Sequence, residues 1–131
     1  MRVVSFKRRC VIATIIIVCG AVLSSVASAA NEISFRKDIF PILEGNCVEC
    51  HKPGGKGFES SGLSLESYEG VMKGTKFGPV IVPGDIFTSN LLRAVFGQVN
   101  SAMRMPFHRR ELPEKDGALL LHWIYQGAKN N

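Results

Sequence analysis

The segment "NCVECHKPGG", residues 46–55, contains two cysteines three positions apart and a histidine directly after the second. On a helical turn, residues i and i+3 face the same side, so Cys47 and Cys50 can reach one ligand together. His51 lies four positions after Cys47 and can reach the same side. This spacing allows three kinds of site: part of a zinc site, a redox-active dithiol, or the covalent attachment of a haem.

The first 29 residues have the layout of a secretory signal peptide. Residues 2–9 carry four basic side chains, residues 10–23 form an almost unbroken apolar run, and residues 27–29 read Ala-Ser-Ala. The apolar run is shorter than the roughly 20 residues that a membrane-spanning helix needs. We therefore predict cleavage after Ala29, rather than a retained anchor, and a single domain over residues 30–131 without a stable membrane span. Its expected location is the periplasm or an equivalent extracytoplasmic compartment.

Cleavage of this signal changes the charge and the cysteine content of the chain. The full sequence has 16 basic and 11 acidic residues, and four of the basic ones lie in the signal. Twelve basic and eleven acidic residues remain, a net charge of +1, so the basic pI is no argument for nucleic-acid binding and we expect none. Cys10 and Cys19 are lost with the signal, which leaves Cys47 and Cys50.

Of the three kinds of site, haem attachment accounts best for the motif. A structural zinc site needs four ligands, and His108 and His122 lack the paired spacing that would complete one. An exported dithiol motif follows a strand, whereas the residues before Cys47 predict a helix. C-x-x-C-H is the signature of c-type haem attachment. Cys47 and Cys50 would form thioethers with one haem c, and His51 would be the proximal ligand of its iron.

Helical periodicity dominates the rest of the mature sequence. Residues 34–51 predict a helix with Ser34 as N-cap and a stripe at every fourth position, although Pro41 kinks or restarts it. Residues 113–127 predict the clearest helix, which opens at Pro113 and stops at Gly127. Short helices are predicted before Gly74 and between Ser89 and Gly97, whereas the glycine-rich residues 52–62 predict a loop. The fold class is therefore all-α: a small helical domain with long loops wrapped around the haem.

The second axial ligand is expected from a loop near the C-terminal third of the chain. The candidates are Met72, Met103, Met105, His108 and His122. Met105 is favoured because Pro106 holds the backbone extended and because a thioether opposite histidine is the usual cytochrome c arrangement. Met103 and His108 are the rivals, Met72 is expected to pack in the core, and His122 is expected to face solvent.

Two further groups of residues have predicted roles around the haem. His51 is expected to donate its second ring N–H to a carbonyl, for which Pro79 is the candidate. Arg104, Arg109 and Arg110 flank the ligand loop, where they would neutralise haem propionates, contact an acidic partner or simply be solvated. The predicted pocket walls are Phe35, Ile39, Leu43, Leu63, Leu65, Val80, Ile81, Leu91, Leu92, Val95 and Trp123.

The order of several segments resembles the planctomycete-type cytochrome c domain, a monohaem relative of class I cytochromes c. The similar segments are "FRKDIFPILEGNCVECH" (35–51), "SGLSLESYEGVMKG" (61–74), "GPVIVPGD" (78–85), "SNLLRAV" (89–95), "RMPFHRREL" (104–112) and "LLLHWIYQGA" (119–128). The resemblance implies a class I-like helical fold in which the first and last helices cross beside the haem. It also implies Cys47 and Cys50 as attachment points, His51 as proximal ligand and Met105 as distal ligand.

The expected function is that of an electron carrier rather than an enzyme, exchanging single electrons with redox partner proteins. Two other functions remain open at the level of the sequence. One is a five-coordinate haem protein that binds a small ligand or reduces peroxide. The other is the haem subunit of a larger oxidoreductase complex.

Overall fold

Five α-helices and two short helical turns make up the secondary structure of residues 32–107 and 110–131, which are the residues that the computed structural model describes. The helices are α1 (Phe40–Asn46), α2 (Lys56–Ser61), α3 (Tyr68–Lys73), α4 (Asn90–Val95) and α5 (Glu114–Tyr125), with a π-helical turn at Phe35–Ile39 and a 3-10 turn at Ser101–Met103. Over these ranges the only β-type pairings are two isolated bridges. The predicted all-α class is therefore confirmed, while the predicted signal peptide and His108 lie outside the described residues.

The first helical segment begins at Ser34, as predicted. The Ser34 hydroxyl accepts a hydrogen bond from the Lys37 amide (3.2 Å), and the Ser34 amide donates to the Asp38 carboxylate (2.8 Å). These contacts satisfy backbone donors that a helix start would otherwise leave unpaired. Pro41 lies in the first turn of α1, where its missing N–H costs no helical hydrogen bond. The proline thus lies just after the change from the π-helical turn to α1.

The two ends of the domain pack together to form its core. Phe35, Ile39 and Leu43 are buried, and the last helix buries Leu120, Trp123 and Ile124. Helix α5 packs against the π-helical turn, where the Phe35 and Trp123 ring centroids are 5.4 Å apart. The predicted helical stripes therefore identify the packing surfaces. Of the other predicted wall residues, Leu63, Leu65, Ile81 and Leu92 are buried, whereas Val80, Leu91 and Val95 are half-buried.

Residues after α5 return to the start of the domain. The backbone carbonyl of Asn131 accepts from the Arg36 amide (3.1 Å), and its side-chain oxygen accepts from the Phe35 amide (2.8 Å). The Ile33 amide donates to the Gln126 side chain (2.8 Å). The C-terminal residues thus form direct hydrogen bonds with the first residues of the described domain.

The Pro-Gly-Asp turn predicted at residues 83–85 is present and rests on α5. The Gly84 amide donates to the carbonyl of Ile124 (2.8 Å), and the φ angle of Gly84 is +81°, in the left-handed region that glycine adopts readily. Ser89 is fully buried, and its hydroxyl accepts from the Val82 amide (3.0 Å) and donates to the Asp85 carbonyl (2.6 Å). Ser89 begins α4 as predicted, but its side chain holds the turn instead of capping the helix.

One prediction about secondary structure is wrong: residues 52–62 are not all loop, because α2 occupies Lys56–Ser61. Glycine lowers helix propensity, and the sequence signal was weak for that reason. The helix is held by a tertiary contact, in which the Phe58 amide donates to the carbonyl of Cys50 (3.0 Å). Gly62, at φ +75°, then ends the helix in a left-handed conformation. Helix α2 therefore packs directly on the C-x-x-C-H segment.

Candidate functional site

Cys47, Cys50 and His51 lie on a single turn that continues from α1. The Cys47 amide donates to the carbonyl of Leu43 (2.8 Å), and the Cys47 carbonyl then accepts from the amides of Cys50 (3.1 Å) and His51 (3.0 Å). Cys47 is half-buried and Cys50 is exposed. The side chain of His51 is buried, with 8% of its surface exposed. The structure thus brings the three predicted site residues together on one turn.

A backbone carbonyl fixes the tautomer of His51. The Nδ1 atom lies 3.3 Å from the carbonyl oxygen of Leu63, and since a carbonyl can only accept, Nδ1 carries the proton in this contact. The other nitrogen, Nε2, then keeps its lone pair for a metal. Burial lowers the pKa of His51, and the hydrogen bond to Leu63 opposes that shift. The neutral ring is the form that coordinates metals.

The prediction that Pro79 supplies the carbonyl partner of His51 is wrong. Pro79 is exposed, and the chain instead returns to the histidine directly after α2. The Leu65 amide donates to the His51 carbonyl (2.8 Å), which aligns the Leu63 carbonyl with the ring. The two leucine side chains are buried beside it. The sequence signal for this partner is the short Leu63-Ser64-Leu65 run after Gly62, in which Leu63 and Leu65 are predicted only as pocket walls.

The candidates for the second axial ligand differ in how they are held. Met105 is half-buried, and its amide donates to the carbonyl of Ala94 at the end of α4 (3.1 Å). Met103 is 61% exposed on the 3-10 turn. Met72 is half-buried and packs against the core, while His122 is exposed on α5 as predicted. Of these four residues, Met105 combines partial burial with a fixed backbone in a loop.

The arginines around Met105 have separate environments. Arg104 forms an ion pair with Glu111 across the loop, and both side chains are largely exposed. Its guanidinium also lies over Gly97, where an added Cβ would come within 3.1 Å of Nε. Arg110 is exposed, and Arg109 lies outside the described residues. The charge of Arg104 is thus already paired with a carboxylate, which leaves its predicted role toward haem propionates as a prediction.

The donor set of this site fits a covalently bound haem. Two thiols on one turn match two attachment points on one porphyrin, and the lone pair of His51 Nε2 is suited to iron. No three histidine, cysteine, aspartate or glutamate side chains within residues 32–107 and 110–131 lie close enough to hold a metal ion between them. A porphyrin needs no such cluster, because its own four nitrogens bind the iron.

Comparison with known protein families bears on the same segment. Residues 47–106 match a family model described as Planctomycete cytochrome C. The match supports a planctomycete-type cytochrome c domain in this chain. No curated protein and no solved structure matched the chain. The matched part of the cytochrome c domain begins at Cys47 and ends at Pro106, so it includes the C-x-x-C-H turn, α2 and Met105.

The matched family suggests a general function for this domain. Cytochrome c domains bind haem and generally serve as electron carriers. None of the helices that the structure describes is long and apolar enough to cross a membrane.

Proposed function

We propose that this chain is an exported monohaem c-type cytochrome that carries single electrons between redox partner proteins. The observation that carries the proposal is the turn from Cys47 to His51, with His51 Nδ1 held by the Leu63 carbonyl at 3.3 Å. That contact leaves Nε2 as the metal-binding atom, next to two thiols on the same turn. The family match begins at the first of these thiols.

Each residue of the turn has its own part in this proposal. Cys47 and Cys50 attach the haem through thioethers, so the cofactor stays bound in both oxidation states. The haem supplies a one-electron couple. His51 is the proximal ligand, and the Leu63 carbonyl fixes the ring orientation and makes the coordinating nitrogen a stronger donor. These contacts keep the histidine in one position, so that electron transfer requires little movement of the chain.

Met105 is the proposed distal ligand. Its amide is fixed to Ala94 and its side chain is half-buried, so the loop has a defined position before any ligand binds. A thioether opposite histidine raises the reduction potential relative to a second histidine. A haem iron bound by both His51 and Met105 would have no open position for a substrate. This is why the proposal is an electron carrier and not a haem enzyme.

The location and partners of the protein follow from the same proposal. Haem of this type is attached after export, which agrees with the signal peptide predicted over residues 1–29. The partners are redox proteins of the same extracytoplasmic compartment.

Absorption spectroscopy tests the proposed ligands. We expect haem to stay with the chain on a denaturing gel, which requires covalent attachment. We also expect the oxidised protein to show the near-infrared sulfur-to-iron band. Met105→Ala should abolish this band, whereas the matched variant Met103→Ala should retain it. An unchanged band in Met105→Ala would exclude Met105, and ready binding of carbon monoxide to the reduced wild type would favour the five-coordinate alternative.

A further inference from the structure

Gly57, in α2, lies against the edge of His51 that carries the proposed metal-binding nitrogen. A Cβ atom added at Gly57 would lie 2.8 Å from both Cε1 and Nε2 of the His51 ring, and 3.0 Å from the carbonyl oxygen of Cys50. Contacts below 3.0 Å are closer than two non-bonded heavy atoms of these types approach. Any side chain at this position therefore requires the ring or α2 to move.

The ring has little room to move away from α2. Its opposite edge is held by the Leu63 carbonyl at Nδ1, and the side chain is almost fully buried. The backbone of His51 is held on both sides, because its amide donates to Cys47 (3.0 Å) and its carbonyl accepts from Leu65 (2.8 Å). A displacement large enough to accommodate a Cβ atom at Gly57 would break the hydrogen bond to Leu63.

The backbone does not explain why glycine occupies this position. The φ angle of Gly57 lies outside the left-handed region that favours glycine, and residue 57 is within a helix, where alanine has the higher propensity. Gly45, in α1, is also helical, but an added Cβ there would have no atom within 4 Å. Space beside the imidazole is the feature that distinguishes Gly57 from Gly45.

We propose that Gly57 is a positioning residue for the haem: its missing side chain keeps free the space beside Cε1 and Nε2 of His51 that a Cβ atom would fill, while the Leu63 carbonyl holds Nδ1. This inference rests on the proposed function of His51 as an axial ligand. Gly57 acts through the histidine and does not itself touch the iron. A larger residue at position 57 changes the ring orientation or competes with the haem for the space beside Nε2.

Three glycine-to-alanine variants of the haem-loaded protein test this inference. Gly57→Ala should keep covalently attached haem, because both cysteines remain. It should nevertheless lose a measurable fraction of the low-spin, six-coordinate spectrum and shift the midpoint potential. Gly45→Ala is the matched helical control and should leave both unchanged. Gly117→Ala, in α5, controls for crowding elsewhere, since its Cβ would lie 3.0 Å from the ring of Phe96, which directly follows α4. A Gly57→Ala variant with the spectrum and potential of Gly45→Ala would overturn the inference.

A second measurement without haem separates this inference from the proposed function. In the apo protein, Gly57→Ala should shift the NMR resonances of the His51 ring but leave those of the exposed His122 in place. If Gly57→Ala unfolds, the double variant His51→Ala/Gly57→Ala should regain part of the lost stability, because the ring that is crowded has been removed. If Gly57→Ala lowers stability equally in the wild type and in His51→Ala, the contact between position 57 and the ring is refuted. A wild type that takes up no haem would refute the proposed function while leaving this apo result to decide on Gly57.

Discussion

Replacement of Ser89 by alanine removes a single hydroxyl group but is expected to cause a large loss of stability. The residue is fully buried, and its hydroxyl bridges two backbone groups of the turn that precedes α4. It accepts from the Val82 amide at 3.0 Å and donates to the Asp85 carbonyl at 2.6 Å. The same turn rests on α5 through the hydrogen bond from Gly84 to Ile124. Ser89 therefore stabilises a link between α4 and the last helix.

The magnitude follows from the groups that lose their partner. A donor left unsatisfied inside a protein costs about 1–3 kcal/mol, and the Val82 amide would be such a donor. With the weakened Asp85 carbonyl included, we expect Ser89→Ala to lower the free energy of unfolding by about 2–3 kcal/mol. For a domain of about 100 residues, each kcal/mol corresponds to roughly 4–8 °C in Tm. The expected decrease in Tm is thus roughly 8–24 °C.

Thermal and denaturant unfolding of the purified protein measure this effect. Ser101→Ala is the control, because Ser101 is exposed on the 3-10 turn, and a surface change of this kind stays within about 0.5 kcal/mol. Both variants lose one serine hydroxyl, so the difference in their stability measures the effect of burying that hydroxyl and its hydrogen bonds. A Ser89→Ala protein as stable as Ser101→Ala would show that the bridge between Val82 and Asp85 does not hold the turn.

Two further changes test other contacts of the same core and turn. Tyr68→Phe removes the hydroxyl that donates to the carbonyl of the buried Ala128 (2.8 Å), so the denaturant midpoint should fall by the equivalent of about 1 kcal/mol at an unchanged slope; an unchanged midpoint would contradict this. The pKa of Asp85 is lowered, first by the hydrogen bond from the Thr88 hydroxyl and then by the amides of Thr88 and Phe87. Because the folded pKa lies below the unfolded value, this contribution is present above about pH 4 and is lost as the pH falls through the folded pKa. Asp85→Asn should therefore flatten the dependence of stability on pH in that acid range, and an identical slope would exclude the carboxylate as its source.

The parts of this domain that sequence reasoning predicts well are those fixed by local patterns. The stripe of Phe35, Ile39 and Leu43 identifies a buried face because side chains four apart share one side of a helix. The C-x-x-C-H spacing places Cys47 and His51 on one turn for the same reason. The placement of these residues can be predicted from the local sequence alone.

The parts that it misses depend on where distant segments return. Helix α2 is short and contains glycine, so its propensity is low, and contacts with distant segments such as Cys50 stabilise it. The Leu63 carbonyl reaches His51 because α2 reverses the chain between them. No periodic pattern encodes that reversal, and Pro79 was an equally reasonable candidate without it. The position of Met105 is equally hard to predict, because it depends on the hydrogen bond from its amide to Ala94 at the end of α4.

The contacts between the two ends of the domain also determine the order in which it can fold. The hydrogen bonds from Ile33 to Gln126 and from Phe35 to Asn131 join residues 93 and 96 positions apart. Closing so long a loop costs conformational entropy before any contact compensates for it. During synthesis, the first helical segment cannot form these hydrogen bonds until Gln126 and Asn131 have been made. Cys47, Cys50 and His51 are therefore synthesised well before the core around them can close.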